Sequence, residues 1–494
     1  MPKPFVAAVA VWLALVGFAP FLPAQDPARR PPNLLLIVAD DMGYGDLSCQ
    51  GSLQIATPNL DRLAADGVRC TAAYVSGPVC APSRAGLLTG RHGCRFGFEH
   101  NLSHPEHVVD AFAGIPLDEP LLPERLHELG YRTGLVGKWH LGASVPEHHP
   151  LARGFETFFG MLGGHHGYWP TLEQNQLLRG HEPPTAIRVP YLTDWFTREA
   201  IDFVTAEDAR PWFLYLAYNT PHTPLQARPD DLAACAHIQN EARRKYCAMQ
   251  RCLDRAIGEL MAALAGAGQR ENTLVVFLSD NGGSVEASHA INAPLRGSKG
   301  TFLEGGVRVP MLWCWPGQLA PRVYDQPVSA LDVMATFVTA AGGKPPTAGV
   351  RQARAGRPAR RGPIYDSVDL LPFLAGRMAT APHEALFWRM GLRGSAVRVG
   401  DWKLVRPNSQ LPQLYDLAND LGERDDRIAA EPAIAADLLR RLNAWEASLE
   451  RNPIFVSDPV WSDYNRRLYE MDYALTQPLP DEPRDLWRMP PARR

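Results

Sequence analysis

Short, continuously apolar runs alternate with stretches of helical periodicity along most of the chain. The runs are apolar on both faces, as are the strands of a parallel sheet that is buried between helices. They cover residues 34–39, 134–136, 212–218 and 273–279. Helical patterns lie between them, at residues 59–66, 121–129 and 246–265. Because strands that alternate with helices assemble into parallel units, the pattern predicts a large doubly wound α/β sheet flanked by helices.

The pattern changes near residue 376, where short strands follow one another directly. Strand patterns separated by turn signals cover residues 386–389, 396–399, 402–405 and 413–417, and a helical pattern covers residues 433–449. This succession predicts a small antiparallel sheet with one helix. We therefore expect a large α/β domain at residues 33–375, a smaller C-terminal α+β domain at residues 376–450 and a surface tail at residues 451–494.

The first 24 residues have the pattern of a secretory signal peptide. Lys3 precedes an apolar run at residues 5–18, and Pro20 and Ala24 precede a polar pair at residues 25–26. A basic start, a modest apolar stretch and a small residue at the exit are typical of a segment that is cleaved. A membrane anchor is the alternative, since the apolar stretch is nearly long enough to span a bilayer. We expect a cleaved signal peptide and a secreted or periplasmic protein.

The 494 residues are 46% hydrophobic and 21% charged, which is the balance of a globular protein. With 50 basic and 53 acidic residues the net charge is −3, which excludes a dedicated nucleic-acid binder with a large basic excess. Residues 344–361 contain six basic residues and no acidic one, and we interpret them as an exposed loop, with contact to an anionic polymer as the alternative. The pairing of the eight cysteines, for instance among Cys235, Cys247 and Cys252, stays open.

Polar side chains follow directly after the predicted strands. They are Asp40, Asp41, Lys138, His140, His222, Asp280 and Asn281. Taken singly, each has an ordinary explanation, such as a turn for Asp-Asn-Gly or a surface position for a histidine. Because ligands of open α/β sheets bind outside the carboxyl ends of the strands, we expect these side chains to surround one crevice.

Four of these residues, Asp40, Asp41, Asp280 and Asn281, offer only oxygen donors. Such a set suits calcium or magnesium rather than zinc. Three crowded carboxylates repel one another by about 4 kcal/mol per pair at about 4 Å and an effective dielectric of about 20, and a divalent cation relieves that repulsion. For either Asp40 or Asp41, capping of the following loop is the alternative.

The segment at residues 80–91 combines a proline in a first helical turn with a glycine just past the helix end. This places Cys80 at a helix N-terminus, where backbone N–H groups favour an anion. An ordinary capped helix with a buried thiol is the alternative, and the spacing alone favours it.

Cys80-x-Pro82-x-Arg84, followed by Leu88-Thr89-Gly90, resembles the signature of the formylglycine-dependent sulfatases, arylsulfatase-like members of the alkaline phosphatase superfamily. Further blocks resemble that family in the same order, at residues 33–46, 137–142, 221–224, 279–283, 297–300, 304–310 and 414–417. The resemblance covers residue 33 to about residue 430. It implies the family's fold, a large mixed sheet with a smaller C-terminal domain.

The resemblance also implies a function. The chain would hydrolyse a sulfate monoester, by analogy that of a carbohydrate, to an alcohol and inorganic sulfate. The four oxygen donors would hold one calcium ion, and a formylglycine-generating enzyme would oxidise Cys80 to formylglycine, the nucleophile. The remaining implied catalytic residues are Arg84, Lys138 and His140, which would steady the nucleophile, and His222 and Lys299, which would grip the ester.

Two other functions stay open. Phosphate and phosphonate ester hydrolases share the superfamily fold and metal site, and some use the same modified cysteine. A non-catalytic binder of sulfated glycans could keep the fold, although the complete set of site residues counts against it. Residues 163–169 could form a sugar subsite, with a glycine-rich loop packed on the sheet as the alternative. Asn101-Leu102-Ser103 fits a glycosylation acceptor.

Overall fold

Ten strands form one mixed sheet in the computed structural model, which describes residues 30–102, 113–173, 176–346, 364–408, 410–449 and 451. The strands are β1 (Asn33–Ala39), β2 (Val68–Tyr74), β3 (Arg132–Lys138), β4 (Thr157–Met161), β5 (Leu177–Arg179), β6 (Trp212–Ala217), β7 (Thr273–Ser279), β8 (Arg308–Cys314), β9 (Arg322–Tyr324) and β10 (Val328–Ser329). Their order is β10-β2-β8-β7-β1-β6-β3-β4-β5, with β9 beside β2. The predicted signal peptide, most of the basic stretch at residues 344–361 and the tail beyond residue 451 lie outside the described residues.

The centre of the sheet is parallel, as the apolar runs predict. β7, β1, β6, β3 and β4 are parallel neighbours, whereas β8 and β5 run antiparallel to the strands beside them. Successive side chains of β1 alternate between two cores: Leu34 and Leu36 lie in one, Leu35 and Ile37 in the other. Because both faces of the sheet are covered, the strand has no polar face, which explains its continuously apolar sequence.

Helices cover both faces of this sheet. They are α1 (Pro58–Ala65), α2 (Cys80–Thr89), α3 (Leu122–Glu128), α4 (Leu192–Thr205), α5 (Pro229–Ala234), α6 (Glu241–Gly266), α7 (Val285–Ser288), α8 (Glu304–Val307), α9 (Asp332–Ala340) and α10 (Leu371–Leu374). Side chains of α2, α3 and α9 belong to the core on one face, and those of α4 and α6 to the core on the other. The predicted α/β sheet with flanking helices is confirmed, and the three predicted helices correspond to α1, α3 and α6.

Six strands of the large sheet have no counterpart in the sequence prediction: β2, β4, β5, β8, β9 and β10. β8 contains Pro310, which lacks an N–H group and argues against a strand with a neighbour on each side. Cys70 of β2 pairs with Met311, but the next pair joins Ala73 to Val309, so two residues of β2 lie opposite the proline. This bulge accommodates Pro310 within the sheet.

A second sheet of four antiparallel strands follows the large one. Its strands are β11 (Ala385–Met390), β12 (Gly394–Val399), β13 (Trp402–Pro407) and β14 (Gln413–Asp416), and α11 (Pro432–Ala447) follows them. Val397 and Leu404 pack against Leu438 and Leu442 of α11. The predicted small antiparallel sheet with one helix is therefore confirmed. The domain boundary between residues 375 and 376 stays a prediction.

A buried charge cluster joins the two sheets. The Lys403 ammonium of β13 lies 2.8 Å from Glu304 at the start of α8 and 2.9 Å from Glu423, and all three side chains are excluded from solvent. Burial raises the pKa of Glu423 to about 7. Gly306 of α8 in turn accepts a hydrogen bond from the backbone N–H of Gly282 at 3.1 Å. The small sheet thus supports the loop that follows β7.

All eight cysteines are free thiols, so no disulfide joins Cys235, Cys247 and Cys252. Seven of the eight are buried. Among the described residues, no helix combines the length and the apolar character that crossing a membrane requires.

Candidate active site

The ends of four neighbouring strands bring the predicted site residues to one edge of the large sheet. Asp40 follows β1 and Asp280 follows β7, and the N–H of Asp280 donates to the carbonyl of Ala39 at 3.0 Å. Lys138 is the last residue of β3, and His222 lies in the loop after β6. Because β7, β1, β6 and β3 are adjacent in the sheet, these side chains lie together at its carboxyl edge, which we call the crevice.

Cys80 is the first residue of α2 and is 1% exposed. Its thiol donates to Asp40 Oδ1 at 3.4 Å, and the Lys299 ammonium donates to its sulfur at 3.2 Å. Burial raises the pKa of the Cys80 thiol to about 12, although the nearby ammonium groups oppose the shift. The thiol is therefore protonated at neutral pH and is a weak nucleophile, since the thiolate is the reactive form.

The first turn of α2 is capped from a distant part of the chain. The side-chain carbonyl of Asn101 accepts a hydrogen bond from the N–H of Ala81 at 2.9 Å. An oxygen acceptor at this position satisfies one of the free N–H groups at the helix N-terminus. Asn101 therefore holds the helix end that carries Cys80, a contact that its place in a glycosylation motif does not indicate.

Each carboxylate of the crevice faces a cation, which is fully buried for Asp40 and Asp280 and mostly buried for Asp41. Lys138 Nζ lies 2.7 Å from Asp40, both Nε and one terminal nitrogen of Arg84 lie 2.8 Å from Asp280, and Lys299 Nζ lies 2.7 Å from Asp41. Removing one partner of such a pair would leave an uncompensated charge, so each cation stabilises the ionised form of its carboxylate.

The pKa values of Asp41, in the loop after β1, and Asp280, directly after β7, move in opposite directions. Burial raises the pKa of Asp41, but Lys299 and His222 outweigh it and hold the value at about 2. Burial and the neighbouring Asp40 carboxylate raise the pKa of Asp280, although Arg84 opposes the shift. A further cation in the crevice would relieve the repulsion between Asp280 and Asp40.

The two predicted histidines flank this charge cluster. His140 has a left-handed backbone (φ 59°), and its Nε2 lies 3.4 Å from the carbonyl of Leu102. His222 Nδ1 lies 2.7 Å from the carbonyl of Thr223, so Nδ1 carries the proton, and Nε2 lies 3.6 Å from Asp41. Burial lowers the pKa of His140 well below its usual value and that of His222 to about 3. Both imidazoles are therefore neutral.

The crevice offers donors for a metal ion. One donor atom from each of Asp40, Asp41, Cys80 and His222 lies within 4.8 Å of the others. Asn281 adjoins this group: its amide nitrogen donates to Asp41 at 2.7 Å, and its buried Oδ1 has no hydrogen-bond partner among the described residues. An amide oxygen without a partner, next to crowded carboxylates, fits a hard cation such as calcium.

Sequence reasoning missed the residues that hold the loop after β1. The hydroxyl of Tyr246, on α6, donates to Asp46 at 2.9 Å and lies 3.3 Å from the carbonyl of Asp41. Arg243, one turn earlier on the same helix, pairs with Asp46 at 2.6 Å. Asp46 lies in the family-like block at residues 33–46, but no local pattern connects it to α6.

Gly164 lies against the ring of His140, and this contact yields a prediction. A Cβ on residue 164 would lie 2.7 Å from His140 Nε2, whereas a Cβ on residue 163 would meet no heavy atom within 4 Å. We expect Gly164→Ala to displace the imidazole and to lower kcat by up to about 10²-fold, as misplacement by about 1 Å does in active sites. Gly163→Ala is the matched control and should keep wild-type kcat. Equal kcat values for the two variants would contradict a role of the His140 imidazole in turnover.

Crowded carboxylates, cations and Cys80 at a helix N-terminus, all at the carboxyl edge of a mixed α/β sheet, suit a hydrolase that acts on anionic esters. Similarity to known proteins identifies the ester as a sulfate ester. The sulfatase family model matches residues 32–343, and the chain belongs to the sulfatase family, in the arylsulfatase-like branch of the alkaline phosphatase superfamily. The protein is therefore a sulfuric ester hydrolase.

Relatives and solved structures agree with this family. The N-acetylgalactosamine-6-sulfatase of Mus musculus is 36% identical over 398 residues, which are 76% of this chain and 72% of the relative. Human (Homo sapiens) arylsulfatase A is 32% identical over 471 residues, 84% of this chain and 86% of the relative. A crystal structure of Ps i-CgsB in complex with k-i-k-neocarrahexaose is 35% identical, with a TM-score of 0.78, and the match covers 90% of this chain and 98% of that one.

Proposed function

We propose that this protein is a secreted, calcium-dependent sulfatase that removes sulfate from a carbohydrate and uses formylglycine at position 80. The observation that carries the proposal is the setting of Cys80, buried at a helix N-terminus between the Asp40 carboxylate and the Lys299 ammonium. The names of the relatives, which specify a sulfated sugar and an aryl sulfate, and the carrahexaose bound to the similar structure support a sulfated carbohydrate as substrate.

An unmodified thiol does not suit this reaction. A thiolate that attacked sulfur would form a sulfur–sulfur bond with no easy release, and burial keeps the Cys80 thiol protonated. The hydrate of a formylglycine aldehyde supplies two hydroxyls, one to take the sulfuryl group and a second whose collapse to the aldehyde expels sulfate. Oxidation of Cys80 by a formylglycine-generating enzyme therefore explains why a buried cysteine lies among these charges.

The cations of the crevice have separate tasks in this proposal. Lys138 and Arg84 hold Asp40 and Asp280 in place and steady the hydrate. Lys299, which contacts both Asp41 and Cys80, meets the negative sulfuryl oxygens. Asp40, Asp41, Asp280 and Asn281 would hold calcium, which when bound would supply further positive charge to the site.

Three groups are candidates for moving protons. Asp280, whose pKa is raised, could take the proton of the attacking hydroxyl. The neutral His140 has a ring nitrogen, Nδ1, without a partner among the described residues, and it could accept the proton that is released when sulfate leaves. His222 would donate a proton to the leaving oxygen, which requires that its Nε2 take up a proton when the anionic ester binds.

Substitution of two of these groups tests their roles. We expect Lys138→Ala and His222→Ala each to lower kcat by about 10²–10³-fold, the usual effect of removing one preorganised donor. Lys344→Ala and His237→Ala, at exposed positions, are the matched controls and should keep wild-type kcat. Circular dichroism would show that the variants are folded. Near-normal kcat in both Lys138→Ala and His222→Ala would contradict the assigned roles.

A comparison of esters tests the proposed reaction against its closest alternative. We expect kcat/KM for 4-nitrophenyl sulfate to exceed that for 4-nitrophenyl phosphate and for a phenylphosphonate ester, and we expect turnover of at least one sulfated sugar in a panel. Higher kcat/KM for the phosphorus esters would favour a phosphate or phosphonate ester hydrolase. Binding of sulfated sugars without turnover of any ester, in a preparation with formylglycine at position 80, would favour a non-catalytic binder.

A further inference from the structure

The segment at residues 163–169 passes beside both histidines of the crevice. Gly164 lies against the ring of His140. At the other end of the segment, the buried hydroxyl of Tyr168 donates to the carbonyl of Asn219 at 2.5 Å and lies 2.8 Å from that of His222. The segment is therefore part of the wall of the crevice, which favours the sugar-subsite interpretation over that of a loop packed on the sheet.

Trp169 directly follows Tyr168, at the exposed end of this segment. Tyr168 before it is fully buried, whereas the side chain of Trp169 is 43% exposed. Its ring packs edge-to-face on Tyr191, with the ring centroids 5.0 Å apart. The Tyr191 hydroxyl donates to the carbonyl of Gln226 at 2.8 Å, and the Gln226 side chain accepts from the N–H of Tyr168 at 2.8 Å. The indole is thus held from one side while part of its surface faces solvent.

Trp169 is unusual among the aromatic residues of the chain. Among the Trp, Tyr and Phe residues that the structure describes, only Trp169 has an exposed side chain. Leaving an indole in water forgoes the burial that normally stabilises a large aromatic side chain. An indole at the rim of a polar crevice is suited to a ligand that presents both an apolar face and hydroxyl groups.

The geometry of the crevice indicates which part of a ligand reaches this rim. Lys138 is fully buried and the Lys299 side chain is 16% exposed, so the sulfate group of an ester would lie deep in the crevice. The sugar that carries the sulfate would follow it outwards, and the next sugar would lie at the level of exposed residues. A pyranose ring has an apolar C–H face that matches the exposed indole.

We propose that Trp169 is a stacking platform for the sugar ring next to the sulfated sugar. The protein would then bind a sulfated oligosaccharide more tightly than a free sulfated monosaccharide. This inference rests on the proposed function, because it assumes that the ester is that of a carbohydrate. Trp169 would contribute to binding and not to the chemical step, since it contacts no reacting group.

Kinetics on substrates of two lengths test this proposal. The probes are N-acetylgalactosamine 6-sulfate with a chondroitin 6-sulfate tetrasaccharide, and galactose 4-sulfate with an ι-carrageenan tetrasaccharide. For the pair that the wild type hydrolyses, we expect Trp169→Ala to raise KM for the tetrasaccharide about tenfold, which corresponds to about 1.4 kcal/mol. We expect kcat on the tetrasaccharide, and both constants on the monosaccharide, to stay unchanged.

Two further variants separate stacking from a general effect on the fold. Trp169→Phe keeps a flat aromatic face, and its KM for the tetrasaccharide should stay close to the wild-type value. Leu411→Ala removes a still more exposed apolar side chain, 85% exposed, from the segment before β14 and should change neither constant. The same change in KM for both substrate lengths, or no change in either, would overturn the platform. Wild-type protein that hydrolyses no sugar sulfate at all would overturn the proposed function and this inference with it.

Discussion

We expect a Cys80→Ala variant to hydrolyse sulfate esters at least about 10⁵-fold more slowly than the wild type, because loss of a covalent nucleophile removes most of an enzyme's rate enhancement. The substitution removes only the end of the side chain at position 80, which lies between Asp40 and Lys299, so we expect the fold to be retained. Stopped assays with 4-nitrophenyl sulfate at high enzyme concentration measure the residual rate, and thermal unfolding reports the fold.

Cys70→Ala is the matched control for this variant. Cys70 is also a buried free thiol, on β2, and it lies in the core rather than in the crevice. We expect it to keep wild-type kcat with a modest loss of stability. A Cys80→Ala enzyme that keeps more than a few per cent of wild-type turnover would show that position 80 does not supply the nucleophile.

Removal of calcium is expected to abolish measurable turnover and to lower the unfolding temperature. Asp40, Asp41 and Asp280 would then face one another without the cation, at a cost of about 4 kcal/mol per carboxylate pair at about 4 Å and an effective dielectric of about 20. Arg84, Lys138 and Lys299 offset part of this repulsion. Because a bound ion stabilises the folded state alone, the unfolding temperature should rise again with added calcium.

The measurement uses protein treated with a chelator and checked by elemental analysis. Thermal unfolding and turnover are then recorded during titration with calcium and, separately, with magnesium. Asp41→Asn should weaken calcium binding, whereas Asp230→Asn, at a side chain that is 92% exposed, should not. Metal-free protein with an unchanged unfolding temperature and full turnover would contradict the calcium site.

The placement of the site could be predicted because it follows from strand order and local sequence. Asp40 and Asp280 each follow directly after an apolar run, and parallel strands deliver such residues to one edge. The prediction of strands failed where local sequence was ambiguous. β8 contains Pro310, which is unusual in a strand with a neighbour on each side, and the bulge in β2 that accommodates it depends on pairing between residues more than 230 positions apart.

The supporting contacts of the site could not be predicted, because each joins distant parts of the chain. Asn101 caps the helix of Cys80, and Tyr246 reaches the loop after β1 from the middle of α6. Neither residue lies in a spacing pattern that marks such a role. That all eight cysteines are free thiols could not be predicted either, because disulfide formation depends on which cysteines lie close together in the fold and not on their spacing in the sequence.

The mass of the tryptic peptide at residues 70–84 tests the central claim most directly. This peptide contains Cys70 and Cys80, and after alkylation only an unmodified thiol carries the label. In active protein we expect one labelled cysteine, at position 70, and at position 80 a residue about 18 Da lighter than cysteine, as conversion to formylglycine requires. The converted fraction should rise in proportion to kcat across preparations. A labelled thiol at position 80 in protein with full sulfatase activity would contradict the account.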